Sequence, residues 1–220
     1  MKRLLLIIGI CLLLIPCSVN ADEIKQLNGD FSIRNGIRFG MTSQEILQAE
    51  GSNGTLSERD GEVRVGYHIN SIAGVPIGRA ASDTLIYHLD KYSSGNQLSG
   101  IDYWSGYYDN TSKAKDYYPQ IYNSMTAKYG ESFGEFVPFY TNSFSVNVID
   151  CIRYSSSTTV QGFAQWIVRY DGYYVVISTA HLESNGSAQL FITYQRVETG
   201  LMEYYLKDLD HSVNVNSDDL

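Results

Sequence analysis

The sequence is short of the residues that most chemistry needs. There is no Gly-x-Ser-x-Gly elbow to expose a nucleophilic serine, and no Gly-x-Gly-x-x-Gly or phosphate loop. The four histidines, His68, His88, His181 and His211, are scattered, and none has the close spacing of a zinc site such as His-Glu-x-x-His. Of three cysteines, two lie in the first 17 residues. That leaves Cys151, and a single thiol cannot form an internal disulfide. Stability must therefore come from a packed core. Basic residues are also scarce: the net charge is −8. An acidic chain without a basic patch argues against nucleic acid and anionic membrane surfaces as partners.

The one long apolar run is at the N-terminus. Lys2 and Arg3 precede the apolar stretch Leu4 to Ile15, Pro16 breaks it, and Val19-Asn20-Ala21 offers small residues for cleavage. This is the pattern of an export signal, with a mature start expected at Asp22. The run is too short to cross a bilayer comfortably. Removing it takes away two positive charges and moves the net charge from −8 to −10. Leu14-Ile15-Pro16-Cys17 offers a rival reading as a lipidated cysteine, but Pro16 stands where a lipobox has a small residue. No transmembrane segment is expected once the signal is cleaved.

Among the residues that are abundant, tyrosine stands out, with 18 copies against 8 phenylalanines. Tyrosine suits half-buried strands, where the ring packs and the hydroxyl reaches water. It also suits contact surfaces.

After a polar arm from Asp22 to Arg34, the clearest local signal is the stretch from Gly36 to Leu47. Gly40 permits a tight turn, and Thr42 with Glu45 forms a capping box. Ile46, Leu47 and Ala49 give the following helix an apolar face, and Gly51 stops it. Residues 51–61 read as a polar loop and 62–69 as an alternating strand. Residues 71–82 read as a second loop. Thr84 to Tyr92 and Gln97 to Tyr108 form a predicted hairpin around Ser93-Ser94-Gly95-Asn96, with Leu85, Tyr87 and Leu89 on one face and Ile86 and His88 on the other.

Ala114, Tyr117, Tyr118, Ile121, Met125 and Tyr129 predict a second helix ending at Gly130, kinked or divided at Pro119. The segment from Glu131 to Tyr154 is poorly patterned, with a possible strand around Phe144 to Ile152. Thr158 to Tyr170, Tyr173 to Ala180 and Ser187 to Val197 then predict a three-stranded meander turning at Asp171-Gly172 and Asn185-Gly186. Leu201, Met202, Tyr205, Leu206 and Leu209 suggest a short final helix before a polar tail.

The expected fold class is α+β: two helix-plus-antiparallel-sheet halves, with a possible αβββ–αβββ duplication, in one compact unit. The boundaries are 1–21 for the signal, 22–109 and 110–209 for the halves, and 210–220 for the tail.

Gly40-Met41-Thr42 followed by Glu45-Ile46 and Gly51, with the later strand Leu85 to Leu89, a turn and Leu98, resembles the repeat of the β-lactamase-inhibitor-protein-like superfamily. That group includes outer-membrane assembly lipoproteins of the SmpA/OmlA type. The resemblance covers about residues 36–105. It implies a non-catalytic, exported, protein-binding scaffold, with no particular partner.

His68 and His88 are expected to be partly exposed strand residues, and Cys151 a small buried hydrophobe. Cys151 and His181 can be drawn as a nucleophile and base, which keeps open a hydrolase with no recognisable motif. A structural envelope lipoprotein, resting on Cys17, is the third reading. Paired acids such as Asp208 and Asp210 read as solvated charge, and the sequons at Asn53, Asn110 and Asn185 are explained by turns. The leading expectation is a non-enzymatic binding module of the envelope or extracellular space, with no cofactor and an unidentified protein partner. Its candidate binding residues are Tyr87, Tyr103, Trp104, Tyr107, Tyr108, Trp166, Tyr170, Tyr173 and Tyr174.

Overall fold

A computed structural model describes residues 24–59, 62–90, 96–132, 158–204 and 206. The expected export signal, Cys17, Cys151, the turn residues 91–95, the possible strand near Phe144, Tyr205 and the acidic tail with His211 lie outside the described residues.

The α+β class is what forms. Strands β1 (Lys25–Gln26), β2 (Thr55–Arg59), β3 (Glu62–Tyr67), β6 (Leu85–Asp90), β7 (Gln97–Trp104), β8 (Thr158–Tyr170), β9 (Tyr173–Ser184) and β10 (Ser187–Glu198) make one eight-stranded sheet. Their order is β1-β8-β9-β10-β7-β6-β3-β2. All pairs are antiparallel except β1 with β8. The two halves are not separate sheets. β10 pairs with β7 from Phe191 opposite Trp104 to Gln195 opposite Gly100, which makes the sheet continuous across the chain.

Helix α1 (Ser43–Glu50) begins as its sequence dictates. Thr42 accepts from the Glu45 N–H, and the Glu45 carboxylate accepts from the Thr42 N–H at 2.7 Å. The preceding turn docks this helix on the sheet, because the Gly40 N–H donates to the Leu98 carbonyl and the Leu98 N–H to that of Met41. Ile46 is the residue this helix buries completely.

Helix α2 (Thr111–Tyr129) is capped by Asn110, whose side chain accepts from the Ser112 N–H. Of the two outcomes expected at Pro119, division does not occur: α2 is one continuous helix with Pro119 inside it. Pro119 lies on the exposed side, where water can hydrate the carbonyl that loses its N–H partner.

Both helices cover the same face of the sheet. Val65, Tyr87, Ile101, Tyr194, Ile177 and Trp166 form one continuous row across six strands, from β3 to β8. They pack with Ile46 of α1 and with Ile121, Met125 and Tyr129 of α2 in a single core. A third helix, α3, starts at residue 199 and lies on the opposite face. Its Met202 and Leu206 pack on Ile167, Tyr174, Val176 and Val197.

Two stretches read as loops contain strands. Thr55–Arg59 is β2, the outer strand of the sheet, and Ser71–Ile72 with Val75–Pro76 form a small separate hairpin, β4 and β5. β2 escaped the sequence reading because Thr55 to Glu58 are all exposed, so no apolar alternation marks it. In the small hairpin the turn is made by Ala73 and Gly74, with φ of 46° and 83°. Among the described residues, no helix is long and apolar enough to cross a membrane.

Candidate functional site

The second face of the sheet, opposite α1 and α2, carries a polar cluster beside an aromatic row, of which Phe163 and Phe191 pack on buried Ala180 and Leu182. On β3, Glu62 and Arg64 are two residues apart and share this face. His88 lies opposite Arg64 on β6, and Gly100 lies opposite His88 on β7. Gly100 presents no side chain, so the imidazole can lean toward Asp102, two residues further along β7. A bulge places it there: His88 pairs with Gly100 and Leu89 with Leu98, leaving Ser99 without a partner. This extra residue also explains how Leu98 and Ile101, three apart, share the core face.

The result is a linked cluster across three strands. His88 Nδ1 lies 2.7 Å from Glu62 Oε1, and His88 Nε2 contacts Asp102 Oδ2. Arg64 donates through Nε at 2.8 Å and Nη2 at 2.5 Å to the other Glu62 oxygen. His88 is 3% exposed and Asp102 5%. His88 is therefore not the partly exposed strand residue expected from its sequence; His68 is exposed.

Burial works against charge on His88, yet the two carboxylates outweigh it and raise its pKa to about 9. Burial raises Asp102 to about 6, with His88 opposing. Glu62 is also penalised by burial, but His88 and Arg64 more than offset this and lower its pKa. Both ring nitrogens of His88 are engaged by carboxylate oxygens. Among the described residues, no group of three or more His, Cys, Asp or Glu is arranged to hold a metal ion.

Beside this cluster, Trp104 lies opposite Phe191, which lies opposite Ala180, which lies opposite Phe163. This aromatic row crosses β7 to β8 on the second face. Tyr107 meets Trp104 edge-on, with ring centroids 5.5 Å apart, and is 42% exposed. Trp104 and Phe191 are both partly exposed.

The nine aromatic residues expected to form a binding face are not brought together. Tyr87, Tyr103, Tyr108, Trp166, Tyr170, Tyr173 and Tyr174 are buried. Trp166 donates its indole N–H to the Gly130 carbonyl at 2.9 Å, at the end of α2. Tyr87 donates to Glu50, which also pairs with Arg34 at 2.9 Å. The Tyr173 hydroxyl accepts from the Phe31 N–H, and Tyr108 donates to the Pro76 carbonyl. Tyr174 lies under α3. Only Trp104 and Tyr107 of the nine reach the surface.

His181 sits on the opposite, helix-covered face. Its Nε2 is 3.4 Å from Glu183 Oε1, poorly aligned for a hydrogen bond, and Lys115 lies 3.5 Å from the same oxygen. Burial, the largest influence, lowers its pKa. The pairing drawn between Cys151 and His181 falls outside the described residues at Cys151.

No family model matches the chain, and comparisons with curated proteins and with solved structures find no match.

Proposed function

We propose that this chain is an exported, non-enzymatic binding module of the cell envelope or extracellular space, and that it contacts a protein partner through Trp104 and Tyr107. The observation that carries the reading is the edge-to-face pair these two rings make at the surface, continued by Phe191 on the neighbouring strand. Large aromatic side chains at a partly exposed site supply contact area with few rotors to order, which is why they recur as interface anchors. The leader-like pattern of residues 2–21 and the resemblance of residues 36–105 to the β-lactamase-inhibitor-protein-like superfamily support the same reading.

The test compares chemical cross-linking of the wild type and a W104S/Y107S double variant in the cell that makes the protein. Retained thermal stability should accompany loss of a discrete adduct in the variant. An adduct of undiminished yield in the folded variant would refute the assignment of these two residues. Intact-mass measurement on the same preparation tests export, which predicts a chain beginning at Asp22, against a diacylglycerol-bearing Cys17.

A further inference from the structure

We infer that folding captures a proton on His88, and that the resulting imidazolium is a clamp joining β3, β6 and β7 that releases in alkaline solution. The geometry requires the proton. A neutral imidazole has one N–H, and an ionised carboxylate can only accept. His88 presents one nitrogen to Glu62 and the other to Asp102, both at hydrogen-bonding distance. With Glu62 and Asp102 both ionised, both contacts are satisfied together only when both ring nitrogens carry hydrogen.

Within the contacting cluster two groups are negative and two positive, and Arg59 of β2 stands opposite Glu62 in the strand register. On β3, Glu62 is negative and Arg64 positive; on β7, Asp102 is negative; on β6, His88 supplies the second positive charge. From β10, the side chains in the same rows, Thr193 and Gln195, carry no charge. Loss of the His88 proton would leave buried Asp102 and half-buried Glu62 facing a ring with one donor; Glu62 keeps Arg64, whereas Asp102 would have no such second cation. An unpaired buried charge is strongly unfavourable. The strands so loosened include β3, which among the described residues is the one strand paired with the outer strand β2.

The direction of the pH effect follows from the raised His88 pKa. The stabilisation is fully present below about 6.5, the ordinary histidine value, and is lost as pH rises through about 9. Within that window the ratio of folded to unfolded chain should fall by up to about tenfold per pH unit, the effect of one extra proton bound by the folded state.

The direct test is nitrogen-15 NMR of histidine ring nitrogens in the full chain, with His88 assigned through its contact with Gly100. His88 should remain doubly protonated at pH 7.5, where an unperturbed imidazole is mostly neutral, and lose a proton near pH 9. A neutral His88 ring at pH 7.5 would overturn the inference. Urea unfolding of wild type and H88Q between pH 7 and 9 supplies the second readout. The wild type should lose stability more steeply with pH than the variant, and parallel slopes would equally overturn it. The ring measurement uses the wild type, so it decides the matter even if H88Q does not fold.

Discussion

Gly162 sets a sharp test of how α2 is seated on the sheet. A Cβ added there would lie 2.4 Å from Cε1 and 2.9 Å from Cζ of Tyr118. The glycine follows a bulge at Gln161, where Val160 pairs with Leu182 and Gly162 with His181, and the Tyr118 ring rests against the backbone so exposed. That ring also tilts over His181, with centroids 5.9 Å apart, and its hydroxyl lies 3.4 Å from the Thr179 hydroxyl. In G162A the ring must move and surrender those contacts.

Overpacking of this kind costs about 1–3 kcal/mol. Replacing a strand glycine by alanine returns about 0.5–1 kcal/mol through reduced chain entropy. The net loss should be about 1–2 kcal/mol, or roughly 2–8 °C in thermal midpoint for a chain of this size. The assay is a double-mutant cycle with Y118A, read by urea unfolding. With the ring gone, G162A should be neutral or stabilising by about 0.5 kcal/mol, giving a coupling of about 1–2.5 kcal/mol. Equal cost in both backgrounds would refute the packing argument and show that the bulge itself demands glycine.

Three further outcomes can be measured on the same instruments. T42A should lose about 1 kcal/mol of stability, since it leaves an N–H at the start of α1 without its side-chain acceptor. W166F keeps a ring in the core but leaves the Gly130 carbonyl without its donor, and should cost about 1–3 kcal/mol in urea unfolding. On the acid side, the lowered Glu62 pKa contributes stability that is present above about 4.5, the ordinary glutamate value, and lost as pH falls; E62Q should flatten that acid limb in unfolding measured from pH 3 to 6.

Local signals carried much of the fold. The capping box at Thr42, the helical spacing from Ala114 to Tyr129 and the Asn185-Gly186 turn, with φ of 50° and 79°, are short-range features, and each produced its element. What sequence periodicity could not supply is which strand lies beside which. β7 meets β10, about ninety residues away in sequence, and that pairing turns two expected halves into one sheet. It also decides which face of each strand α1 and α2 cover. Alternation correctly grouped Tyr87 with Leu85 and Leu89, but the face they share is the core, so Tyr87 could not serve as a contact residue.

The His88 cluster was hidden for a related reason. Its four side chains come from three strands, and Asp102 shares a face with His88 because the bulge at Ser99 shifts the register. The period-two spacing of Glu62 and Arg64 was visible; their partner on β6 was not.

The aromatic surface at Trp104 and Tyr107 carries the proposed partner contact. Its most direct measurement places a photo-cross-linking amino acid at position 107 and, as a control, at Leu56, which is 58% exposed on β2 far along the sheet. Irradiation in the producing cell should give a discrete protein adduct from position 107 and not from position 56. Equal adducts from both positions, or none from position 107 in folded, exported protein, would contradict it.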